Sequence, residues 1–150
     1  MTACIQLLTA FLGSLGFALL FNIRGNKLLP ASLGGLLSWG VYLLAGLFTV
    51  SDPLRYLVAA IAFTLYAEIL ARVLKTPATL FLVSSAIPLI PGGSLYRTME
   101  YAMQGDGASF GAWGLATLLL AASIAAGILL AMAVFNMATH FSSVRRVFFK

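Results

Sequence analysis

The residues whose types could support chemistry fall into two short groups. Pro91, Gly92, Gly93, Ser94 and Arg97 follow one another inside an apolar region that begins at Ala78. Proline removes a backbone donor and clashes with the preceding helical turn, and paired glycines make unwinding cheap. A helix running through residues 86–97 is therefore expected to break at Pro91-Gly92-Gly93, with Ser94 as the cap of its second half. That half would start with free N–H groups at Gly93, Ser94 and Leu95, where the helix dipole contributes about half a positive charge. The ligand such an end favours is an anion, for example a carboxylate, and Arg97, one turn on, adds a full charge in a planar fork. The plainer reading of the same residues is a kink filled by a neighbouring helix.

Glu68 and Arg72 form the second group, four residues apart on one helical face. A carboxylate roughly 10 Å inside the end of a membrane helix is costly. Glu68 could couple proton movement to transport, or it could form a simple ion pair whose Arg72 reaches out to the headgroups. Arg97 and Glu100 could likewise be only a local pair. Tyr96 and Tyr101 suit either a membrane interface or a ligand, and Asn22 and Asn136 suit helix-to-helix hydrogen bonds better than ligands. His140 has no Cys or His neighbour. No nucleophile–base pair, phosphate loop or metal-ligand spacing is present, so no catalytic residue, metal or cofactor is expected, and the chain does not read as an enzyme.

The elements that must position these groups follow from composition. The chain is 61% hydrophobic and only 9% charged over 150 residues, where a soluble domain carries about a quarter charged residues. The apolar residues come in runs of about 20, enough to cross a hydrocarbon layer of roughly 30 Å. The net charge of +5 comes from basic residues flanking these runs, as in membrane loops, and nucleic acid is not an expected partner. The lone Cys4 excludes an intramolecular disulfide. No basic region or small-residue cleavage site precedes Arg24, so the first run reads as a retained span.

The expected fold is all-α: a single transmembrane domain over residues 1–150, with five spans at roughly 2–21, 31–50, 54–74, 78–104 and 108–137. Small residues mark contact faces: Gly13, Ser14 and Gly16 in the first span, Gly34 and Ser38 in the second, and Gly107, Gly111, Ala121, Ala122, Ala125 and Ala126 at the fifth. Ser51 or Asp52 is placed to cap the third span, with Pro53 in its first position. Residues 78–90 make only about 20 Å of helix, too short to cross alone; residues 94–104 complete that span beyond the break. Gly105-Asp106-Gly107 is a turn.

Loop charge gives orientation. Arg24 and Lys27 follow the first span, Arg72 and Lys75 the third, and Arg145, Arg146 and Lys150 the last. Asp52 and Arg55 cancel, and Arg97, Glu100 and Asp106 sum to −1. Alternation over five spans puts the N-terminus outside and the C-terminus in the cytoplasm.

Three stretches carry a resemblance: Phe21-Asn22-Ile23-Arg24, Glu68-Ile69-Leu70-Ala71-Arg72 and Pro88-Leu89-Ile90-Pro91-Gly92. Together they resemble the threonine/serine exporter family, and within it the small membrane component equivalent to the C-terminal half of the full-length, ThrE-type exporter. The resemblance covers nearly the whole chain, and the proline-glycine stretch is its most specific part. It implies a multi-pass protein of the bacterial inner membrane that exports small carboxylate-bearing metabolites, threonine and serine or C4 dicarboxylates such as succinate, together with a larger family subunit. Five spans starting outside are also what the second half of an inverted repeat requires. The rival reading is a scaffold subunit that touches no substrate.

Overall fold

The computed structural model of the protein describes residues 2–148, with side chains for residues 2–138. Its elements are α1 (Thr2–Leu20), a 3-10 turn (Gly25–Lys27), α2 (Leu28–Ala45), α3 (Asp52–Val73), α4 (Ala78–Ala86), a second 3-10 turn (Ile87–Leu89), α5 (Gly92–Gln104) and α6 (Gly107–Phe148). Among the described residues four helices are long and apolar enough to cross a membrane, and five spans result if the bent pair of α4 with its 3-10 turn and α5 is one span. The side chains of His140, Arg145 and Arg146 and all of Lys150 lie outside the described residues.

α3 packs on α2, α4 and α6, while α1 packs mainly on α2 and α5 mainly on α6. Small residues set these contacts. Gly127 of α6 is buried where a Cβ would stand 2.6 Å from Ala60 Cβ and 2.7 Å from the Leu57 carbonyl of α3, so the two backbones meet there as close membrane helices do. Gly34 and Gly35 of α2 make two adjacent notches. The Ser85 hydroxyl of α4 fills the first and the Ser14 hydroxyl of α1 the second. Both hydroxyls are buried with no hydrogen-bond partner, whereas buried Ser32, Ser38, Thr64 and Ser84 donate back to carbonyls of their own helices.

Several expected contact faces turn out otherwise. Gly13, Gly16, Gly107 and Gly111 have open space where a Cβ would be, and Ala121, Ala122 and Ala125 are exposed. On α6 it is Gly127 and Ala131 that bury. Ser51 occupies the cap position of α3 without a side-chain cap bond, and Pro53 sits second in the helix. Asn22 is exposed and closes α1 at a φ of +59°; it turns the chain rather than joining two helices. α6 continues past the expected end at Met137 to Phe148, about 63 Å of helix.

Candidate functional site

The break between α4 and α5 is the feature that positions the first group of residues. α4 stops at Ala86, the 3-10 turn carries the chain to Leu89, and α5 departs at 55°. The prolines explain where. Pro88 offers no N–H to the Ser84 carbonyl, and Pro91 forces the residue before it out of the helical region, so Ile90 is extended with ψ 123°. The break therefore lies at residues 87–91, upstream of the expected Pro91-Gly92-Gly93. Leu89 is fully buried in a cluster with Tyr56, Ala59, Ala60 and Phe63, and the turn itself lies against α1 and α2.

Gly92 and Gly93 form the first turn of α5, and Pro91, not Ser94, holds its cap position. Ser94 is the third helical residue, and its hydroxyl donates to the Pro91 carbonyl at 3.0 Å. Of the three N–H groups expected to be free, that of Leu95 is bound to the same carbonyl at 3.1 Å. Those of Gly93 and Ser94 have no backbone acceptor among the described residues. Both glycines are exposed with open space beside them. Arg97 lies one turn along the same face.

Arg97 does not pair with Glu100. Its guanidinium stands over the Trp113 ring of α6, 5.0 Å from the centroid. One step along the same seam, Thr98 and Thr117 bring their hydroxyls to 3.4 Å, and the Thr98 methyl packs at Gly114. Trp113 and Thr117 escape sequence reading because they meet α5 only once the chain reverses at Gly105-Asp106. The signal available was their distance past that turn.

Glu68 and Arg72 form the second expected group, and the structure joins them at 2.7 Å. Arg72 also donates to the Glu68 carbonyl at 3.0 Å and covers the Phe135 ring of α6 at 4.1 Å. The Glu68 carboxylate is mostly covered while the guanidinium is about half exposed. The pair and the break are separate places along the bundle, not parts of one cluster. Among the described residues no group of His, Cys, Asp and Glu stands together that could hold a metal ion.

The first turn of α5 thus brings together two N–H groups without a backbone acceptor, a helix N-terminus and an arginine over an aromatic ring, groups of the kind that suit an anion. A search of curated proteins and of solved structures finds no match to the chain. A family model described as Threonine/Serine exporter, ThrE, matches residues 6–134 of the 150, a stretch that includes the break, the Glu68–Arg72 pair and Trp113. With that match over most of its length, the chain belongs to the threonine/serine exporter (ThrE) family.

Proposed function

We propose that this chain is one subunit of a secondary exporter of small carboxylate-bearing metabolites, threonine and serine or C4 dicarboxylates such as succinate, in a bacterial inner membrane. The first turn of α5 holds the carboxylate: Gly93 and Ser94 through their N–H groups, Arg97 through its guanidinium, with Pro91 and Gly92 setting the turn. The observation that carries this reading is the 55° bend between α4 with its 3-10 turn and α5, which together are long and apolar enough to cross a membrane, because interrupted backbone at membrane depth lines a cavity or a protein contact and recurs at substrate sites in transporters. Glu68 is the coupling group, with Arg72 as its counter-charge. The N-terminus faces outward and the C-terminus the cytoplasm, following the loop charges.

A larger membrane subunit of the same family completes the transporter. α5 supports this. It packs mainly on α6 and leaves Leu95, Tyr96, Met99 and Met103 exposed. The test is export of labelled threonine and succinate from cells carrying this chain with its partner. Arg97→Gln is expected to abolish export while the two subunits still co-purify. Unchanged export would leave the chain as a scaffold for a site held by the partner.

A further inference from the structure

At the end of the bundle where α1 gives way to α2 and α3 to α4, an open cavity of about 320 Å³ is lined by Phe21, Ile23, Pro77, Thr79, Leu80 and Val83. Thr79 is the one polar side chain among them. From Pro77 to Val83 the groove follows about 9 Å of helix along the outer face of the bundle, where Phe21, Pro77, Thr79 and Val83 are exposed. Such a lining suits a hydrocarbon chain better than a hydrophilic metabolite.

Three basic residues stand close to this lining in the chain. Arg24 follows Ile23 directly, Lys27 ends the 3-10 turn after it, and Lys75 precedes Pro77 by two residues. The ion pairs among the described residues are Arg55–Asp52 and Arg72–Glu68, so these three cations have no acidic partner there. Lys75 also holds a φ of +50° in the turn closed by the Thr76 N–H to the Ala71 carbonyl at 2.9 Å. Glycine adopts that conformation with less strain. The chain carries a lysine there, two residues before Pro77 of the lining.

We propose that this groove binds an anionic phospholipid, its acyl chain along Leu80 and Val83 and its phosphate among Arg24, Lys27 and Lys75. The lipid's charge complements the three cations and its chain complements the apolar lining. A soluble carboxylate satisfies only the first. The site is distinct from the α4–α5 break and does not depend on the transport reading.

Native mass spectrometry of the full chain in mild detergent, offered equal phosphatidylglycerol and phosphatidylcholine, tests it. The wild type is expected to retain phosphatidylglycerol preferentially; equal retention of the two lipids overturns the proposal without any variant. Arg24→Gln/Lys27→Gln/Lys75→Gly is expected to lose the preference with helicity unchanged, since glycine suits the turn at position 75. Val83→Trp, which fills the groove and leaves the charge intact, is expected to lower total bound lipid. Arg55→Gln, at the other end of α3, is expected to change nothing. If it acts like the triple variant, the preference is general charge adhesion and the proposal fails. Displacement of the lipid by millimolar succinate also overturns it, because the cations would then serve a soluble carboxylate.

Discussion

Arg97 and Trp113 lie eight positions either side of Gly105, and the guanidinium of one stands over the ring of the other at 5.0 Å. The reversal that pairs them is built from Gly105 in the left-handed region (φ +73°) and Asp106, which accepts from the Ser109 N–H at 3.2 Å. The ring fixes a long cation beside the first turn of α5. Removing it in Trp113→Ala is expected to cost about 0.5–1 kcal/mol, a two- to five-fold rise in the KM for export. Trp113→Phe keeps an aromatic face and most of the effect. An unchanged KM in Trp113→Ala would mean that Arg97 needs no positioning or touches no substrate.

The Glu68–Arg72 pair separates structure from coupling by a double-mutant cycle. Arg72→Gln leaves a mostly covered carboxylate without its counter-charge and is expected to lower stability by about 1 kcal/mol, the pair being part-exposed at the arginine. Glu68→Gln/Arg72→Gln is expected to recover most of that loss, since neither charge is then unpaired. In transport, Glu68→Gln is expected to abolish dependence on the proton gradient while leaving substrate binding intact. Proton-driven export that survives Glu68→Gln would make the pair purely structural.

Glycine notches predict which substitutions split the bundle. Gly127→Leu pushes a side chain into Ala60 and the Leu57 backbone, and is expected to destabilise the α3–α6 contact by about 1–3 kcal/mol. Gly35→Ala collides with Ser14 and is expected to be destabilising alone but partly rescued by Ser14→Gly. Ser85→Ala is expected to be neutral or slightly stabilising, because it removes a buried hydroxyl that has no partner. Thermal unfolding in detergent reads all three.

The α5–α6 turn has its own pH signature. Hydrogen bonds from Ser109, by its hydroxyl first and its N–H second, hold the Asp106 carboxyl below the usual carboxylate range. A depressed folded value means that the stabilisation is fully present above the unfolded value of about 3.9 and is lost as pH falls through the folded one. Hydrogen exchange at the Ala108–Phe110 amides is expected to be pH-independent in excess of its intrinsic rate above about pH 4 and to quicken below it. Asp106→Asn, which can still cap, is expected to remove that acid-induced quickening.

Local patterns in the sequence carried well into the structure. The i,i+4 ion pair at Glu68 and Arg72, the buried Gly34 and Ser38 face and the Gly105-Asp106 reversal each depend on residues within a turn or two of one another. The break was legible as an interruption but displaced, because glycines draw the eye while prolines do the stopping. Pro88 ends α4 before the glycines arrive, and Gly92 and Gly93 then enter α5 as ordinary helical residues. What stayed hidden depends on helices meeting. α6 carries small residues on every face, so its sequence cannot choose Gly127 over Ala121 or Ala125; α3 makes that choice by presenting Ala60. Trp113 beneath Arg97, and Ser14 in the notch of Gly35, needed the same knowledge of neighbours.

Carboxylate binding at the first turn of α5 is tested most directly by a reporter placed in that turn. Gly93 has open space where a Cβ would stand, so Gly93→Cys fits the fold, and the exposed native Cys4 is replaced by Ser to leave one reactive thiol. In membranes holding this chain with the proposed larger subunit, the rate of maleimide labelling at position 93 is measured with and without threonine or succinate. Saturating substrate is expected to slow labelling, and Arg97→Gln is expected to remove the protection, read as the ratio of the rates with and without substrate, because losing the cation also lowers the thiolate fraction at position 93. Labelling that proceeds at the same rate with and without every carboxylate the transporter exports would contradict carboxylate binding at this turn.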